Sequence, residues 1–224
     1  MEKLKAVLFD LDGTLIDSEW FYYKAYRSTL KLYNRELESE DWLREFAGKT
    51  DSQTFHLLQS KYGVEDEKEV FFDKVREFIK IQHEEEAVPL MPGATDLIHY
   101  LKDQKVTMAV VTSSKREVAN YHLDRNGVRH FFSELISRTE VQNPKPHPEP
   151  YEMCMEKLQL KHEDCLALED SQTGSTSAKS AGLTTFGVNT HEAIRNTLQA
   201  DRCFDNLHEV REFLEKGTER ARKI

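Results

Sequence analysis

The sequence predicts a doubly wound α/β fold, a Rossmann-like parallel sheet covered by helices on both faces. Two patterns carry that expectation: short apolar runs alternating with amphipathic helical periods, and one long helical stretch that interrupts them. Residues 6–9, 106–111, 135–137, 165–168 and 184–188 are short runs, mostly rich in Val, Leu or Phe, as strands buried on both faces are. Helices are expected between them. Ala94, Leu97, Ile98 and Leu101 recur at i, i+3, i+4 and i+7, and so do Tyr151, Cys154, Met155 and Leu158. Strand–helix–strand order of this kind implies parallel pairing.

Between residues 17 and 87 the strand pattern stops. Tyr22, Tyr26, Leu30 and Tyr33 share one helical face; Phe55, Leu58 and Tyr62 share a second; Phe71, Val75 and Phe78 a third. The polar run at 83–86 and the two prolines of VPLMPG then mark the chain's return to the sheet. The expected organisation is an α/β core domain of residues 1–16 and 88–224, with an all-helical domain inserted over 17–87.

With 224 residues, 32% charged and 38% hydrophobic, the composition suits a soluble globular protein with one sizeable core and an insert. No apolar run approaches the roughly 20 residues that span a bilayer. The first one ends at Asp10, too short for a secretory signal, so a cytoplasmic protein without a membrane partner is expected. Cys154, Cys165 and Cys203 lack metal-ligand spacing and read as reduced thiols. A net charge of −9 argues against nucleic acid as a partner. It also means that an anionic substrate must be met by local cations.

Doubly wound sheets carry their sites at the carboxyl ends of the strands. The first run is followed by Asp10, Asp12, Gly13 and Thr14, the second by Thr112, Ser113 and Ser114. Beyond the third comes Lys145 in NPKPHP, and beyond the fourth come Glu169 and Asp170. This set suits phosphoryl transfer, which needs an in-line nucleophile, neutralising charge and a proton for the leaving group. Asp10 can attack phosphorus and become an aspartyl phosphate. Asp12 can protonate the leaving alcohol and later take a proton from water. Asp10 and Asp170 suit Mg²⁺, with Glu169 beside them. Thr112 and nearby backbone N–H groups can hold phosphate oxygens, and Lys145 supplies fixed positive charge. Each piece also has a plainer reading. Ser114 and Glu117 fit a capping box, which makes Ser114 a helix cap. NPKPHPEP can be a rigid polyproline-like loop with Lys145 merely solvated. Four such signals in one order, each beyond a different strand, favour the site.

The order DLDGT (10–14), VVTSS (110–114), KPHP (145–148) and EDSQTG (169–174) resembles the four motifs of the haloacid dehalogenase-like hydrolases, over essentially the whole chain. The resemblance implies that Asp10 is the nucleophile and Asp12 the general acid/base, that Thr112, Ser113 and Lys145 bind phosphate, and that Asp10, the Asp12 backbone carbonyl, Glu169 and Asp170 hold Mg²⁺. An insert just after the first motif is similar to the mobile cap of the subgroup containing phosphoglycolate phosphatase and beta-phosphoglucomutase. Such a cap closes over the site and selects the substrate.

Within that subgroup, a phosphatase acting on a small phosphorylated metabolite is expected, with a sugar-phosphate mutase as the alternative. The mutase and many related phosphatases have a histidine where this chain has Tyr22, and the mutase has an arginine where Asp51 falls. Lys49 is a candidate for the missing positive charge. Tyr22, Lys49 and Asp51 are therefore the candidate specificity residues. A monomer is expected because the cap must move.

Overall fold

Four consecutive apolar residues at the head of the chain form the first strand, and all four are fully buried. The computed structural model describes residues 4–46 and 51–222, except for the side chains of Leu43, Asp51 and residues 83–85 and 218–222. In chain order the elements are β1 (Ala6–Phe9), α1 (Ser18–Lys31), α2 (Ser39–Asp41) running into a π-helical turn at Trp42–Phe46, α3 (Asp51–Tyr62), α4 (Lys68–Glu85), α5 (Ala94–Asp103), β2 (Thr107–Val111), α6 (Arg116–Arg125), β3 (Glu134–Ile136), α7 (Glu149–Leu158), β4 (Cys165–Glu169), α8 (Gln172–Ser180), β5 (Thr184–Val188), α9 (Glu192–Arg195), β6 (Arg202–Phe204) and α10 (Leu207–Arg222). The chain divides into two compact units, Met1–Asp17 with Pro89–Ile224, and Ser18–Val88.

In the α/β unit the strands lie in the order β3-β2-β1-β4-β5-β6, and every neighbouring pair is parallel. The doubly wound expectation therefore holds. The order reverses at β1, whose neighbours are β2 and β4, and the carboxyl ends of strands beside such a switch point are where sheets of this kind place their ligands. Ala6 and Leu8 of β1, Ala109 and Val111 of β2, Ile136 of β3 and Cys165 and Ala167 of β4 form one buried cluster with Tyr151, Cys154 and Met155 of α7 and Ala178 of α8. Ala94, Leu97, Ile98 and Leu101 of α5 are all buried, as their spacing predicts. β6 has no counterpart in the apolar pattern. Its residues Arg202 and Cys203 are exposed, and it is a strand because β5 offers a free edge, with Phe186 opposite Arg202 and Val188 opposite Phe204.

The helical unit contains no strand among its described residues. Its core is aromatic: Tyr26 lies against Trp42, Phe46, Phe71 and Phe72, and Trp42 stacks on Phe46 with centroids 5.4 Å apart. The face expected from Tyr22 needs correction. Tyr22 is 42% exposed, whereas Phe21, Ala25, Tyr26, Thr29 and Leu30 are buried. Ala25 and Thr29 are small and wholly buried, and a pattern drawn from large side chains overlooks them.

Candidate active site

Register brings the first site residues into one row. Phe9 pairs with Val110 on one side and Leu168 on the other, so the next row across the sheet is Asp10, Val111 and Glu169. The Asp10 amide donates to the Leu168 carbonyl at 2.9 Å, which extends the ladder to the carboxylate-bearing residue itself. Lys145 comes to this row from the loop after β3. Its ammonium donates to Asp10 Oδ1 at 2.7 Å, to the Val111 carbonyl at 2.8 Å and to Glu169 Oε1 at 2.6 Å. The Lys145 side chain is only 3% exposed, so the solvated-loop alternative is excluded.

Electrostatics follow from burial. Desolvation pushes Asp10 above the ordinary carboxylate range, although the Lys145 ammonium opposes this. Glu169, wholly buried, is pushed up to about 7 by desolvation, again against Lys145. Asp170 is raised well above its usual value by burial and by the charges of Asp10 and Glu169. Desolvation works against the charge on Lys145, but Asp10 and Glu169 outweigh it and hold the lysine protonated.

A glycine turn carries the second aspartate. Gly13 has φ +80°, and a Cβ there would lie 2.2 Å from Asp170 Oδ2, so the turn and Asp170 approach each other only because the residue is glycine. Thr14 Oγ1 donates weakly to Asp170 Oδ1 at 3.4 Å. Beyond β2, Thr112 is buried and its hydroxyl oxygen accepts from the Ser114 amide at 2.9 Å; Ser113 is exposed. Ser114 overturns the capping-box expectation. α6 begins after Lys115, which is its N-cap, and Ser114 Oγ instead donates to Asp12 Oδ2 at 2.7 Å. The turn made by Thr112 points Ser114 back toward the first motif, and a contact between residues so distant in sequence leaves no periodic signal. Ser171 is the true cap of its helix, accepting from the Gly174 amide at 3.1 Å.

Sequence reasoning also missed Tyr151, whose hydroxyl donates to Glu169 Oε1 at 2.5 Å. Its core-type spacing conceals a polar end. Of the candidate specificity residues, Tyr22 lies on α1, Asp51 is the first residue of α3 with only its backbone described, and Lys49 lies outside the described residues.

The acidic residues fit a divalent cation. Asp10, Glu169 and Asp170 each offer an oxygen within 4.8 Å of the other two. Burial opposes ionisation of all three, and Glu169 Oε2 is buried without a hydrogen-bond partner. Lys145 bonds two of these carboxylates and supplies one positive charge. A hard cation completes such an all-oxygen set.

The model of the haloacid dehalogenase-like hydrolases matches residues 7–188. A phosphorylated carbohydrates phosphatase of Thermotoga maritima is 31% identical over 180 residues, 80% of this chain and 82% of that one. Pyrophosphatase PpaX of Oceanobacillus iheyensis is 29% identical over 185 residues, 83% of each chain. Among solved structures, a Thermotoga maritima protein provisionally designated beta-phosphoglucomutase superposes with a TM-score of 0.78 at 28% identity, over 95% of this chain and 99% of that one. The chain belongs to the haloacid dehalogenase-like hydrolases and is an enzyme of that family. Among the described residues, no helix is long and apolar enough to cross a membrane.

Proposed function

We propose that this chain is a Mg²⁺-dependent phosphatase that hydrolyses a small phosphorylated metabolite through an aspartyl phosphate on Asp10. The observation that carries the proposal is the buried Lys145, bonded at once to Asp10 and Glu169 at the carboxyl ends of β1 and β4. A lysine in that place fixes the nucleophile's carboxylate and meets a phosphate oxygen with positive charge. Mg²⁺ held by Asp10, Asp170 and the Asp12 backbone carbonyl, with Glu169 beside it, supplies further charge to the transferring group. An Asp10 carboxylate oxygen bonds to phosphorus as the bond to the leaving oxygen breaks, and Asp12 gives that oxygen a proton. Asp12 then accepts a proton from the water that attacks the aspartyl phosphate, releasing inorganic phosphate and restoring Asp10. Ser114, donating to Asp12, orients this carboxyl for both transfers. The Thr112 hydroxyl accepts from the Ser114 amide and so has its proton free to donate to a phosphate oxygen. The helical unit selects the substrate as a cap.

Relatives named for phosphorylated carbohydrates and for pyrophosphate support a phosphorylated substrate without choosing between those two. The test is phosphate release from a panel of sugar phosphates, small phosphorylated acids and pyrophosphate, with and without Mg²⁺, for wild type and Asp10→Asn. Metal-dependent release that vanishes in the variant is expected. Appreciable release by Asp10→Asn would refute the nucleophile. Conversion of beta-glucose 1-phosphate to glucose 6-phosphate without net release would establish a mutase instead.

A further inference from the structure

The spacing of Tyr151 with Cys154 and Met155 marks it as a core residue, and its ring is fully buried in the cluster beneath the sheet. A phenylalanine would fill that space as well. The hydroxyl is the part that packing leaves unexplained. It donates to Glu169 Oε1 at 2.5 Å, the same oxygen that accepts from Lys145 at 2.6 Å. The Lys145 ammonium also lies 5.1 Å from the Tyr151 ring centroid, so one side chain touches both members of the pair.

We infer that Tyr151 is a positioning residue, whose hydroxyl holds Glu169 in the orientation that lets the acidic cluster take a divalent cation. This rests on the proposed role of Glu169 beside Mg²⁺. The Glu169 side chain has several rotatable bonds, and something must select one setting. Lys145 cannot do so alone. Its three N–H groups are shared among Asp10, Val111 and Glu169, so it constrains the distance to Oε1 and leaves the carboxylate free to pivot. A second donor on the same oxygen, from a ring locked in the core, removes that freedom. Gly174 forms the floor: a Cβ there would lie 1.8 Å from Oε2 and 2.2 Å from Oε1. Oε1 is thus doubly bonded and Oε2 has no partner. Tyr151 is held in turn by the first turn of α7, where its amide donates to the Pro148 carbonyl at 3.0 Å, three residues beyond Lys145. The loop that delivers the lysine therefore also delivers the hydroxyl.

The experiment is Mn²⁺ binding to the metal-free protein, followed by the paramagnetic resonance of the free ion, for wild type, Tyr151→Phe, Glu169→Ala and the double variant. Loss of an outer-shell hydrogen bond at a metal site typically weakens affinity by about 10- to 100-fold. Tyr151→Phe should raise the Mn²⁺ dissociation constant by about 10-fold or more, with the metal-free protein still melting cooperatively. The Mg²⁺ concentration needed for half-maximal activity should rise in parallel, while KM for substrate at saturating Mg²⁺ stays unchanged. In the Glu169→Ala background, where the acceptor is gone, the tyrosine change should have no further effect on Mn²⁺, because Tyr151 acts through Glu169. Wild-type affinity in Tyr151→Phe, or an equal loss in both backgrounds, would overturn the inference. So would a loss of affinity accompanied by loss of cooperative melting, which would assign the hydroxyl to the fold. Wild-type protein that binds no Mn²⁺ would overturn this and the metal role above it together; a normal wild type with a normal Tyr151→Phe would overturn Tyr151 alone.

Discussion

Replacing Gly174 by alanine adds one methyl group to a helix, a change that ordinarily stabilises by up to about 1 kcal/mol. Here the geometry reverses the sign. The new Cβ would sit 1.8 Å from Glu169 Oε2 and 2.1 Å from Cδ, both on a wholly buried side chain. Ordinary contact requires the carboxylate to retreat by roughly 1.5 Å. Its bonds from Lys145 at 2.6 Å and Tyr151 at 2.5 Å do not survive such a displacement. Each hydrogen bond to a charged group contributes about 1.5–3 kcal/mol. Protonation of the displaced carboxyl recovers part of that loss, since burial already pushes Glu169 up to about 7. After the helix gain is set against the remainder, Gly174→Ala should destabilise the protein by about 2–4 kcal/mol. Urea denaturation reads this as a lower midpoint at unchanged slope. With Glu169→Ala in the background the carboxylate is gone, and the same methyl group should become neutral or stabilising. A Gly174→Ala protein as stable as wild type and equally active would show that the Glu169 pocket has slack, and the reasoning for both Gly174 and Tyr151 would fail with it.

Asp170→Ala removes one of the three clustered carboxylates and should raise the Mg²⁺ requirement by an order of magnitude or more; an unchanged metal titration would remove Asp170 from the site. A second expectation concerns acid stability. Partial burial pushes Glu140 up, but Arg116, the Ser137 amide and hydroxyl, and Lys157 outweigh it and hold this carboxyl down to about 2. A depressed native value contributes stability that is present above about pH 4.5 and is lost as the pH falls toward 2. The displacement corresponds to about 3 kcal/mol at full strength, and to about 2 kcal/mol once partial exposure to solvent is allowed for. Glu140→Gln should therefore be less stable than wild type by about that amount at neutral pH and should converge with it near pH 2 in urea titrations. Parallel stability curves down to pH 2 would count against the Arg116–Glu140 contact as the cause.

The sheet was legible because parallel strands buried on both faces must be apolar throughout, and a run such as AVLF has few other uses. The places where polar groups follow those runs were equally legible, since Asp10 directly follows β1 and Asp170 directly follows β4. Local order along the chain determines both. β6 was not legible, because two of its three residues are exposed and only the free edge of β5 makes them a strand. Register alone set Asp10 beside Glu169, through the pairing of Phe9 with Leu168. Ser114 on Asp12, Tyr151 on Glu169 and the glycine floor under that carboxylate were likewise decided only by tertiary structure. Each depends on side chains from separate elements meeting within a few ångströms. Periodicity records which face of an element is buried, and it carries no trace of where the polar end of a buried side chain arrives.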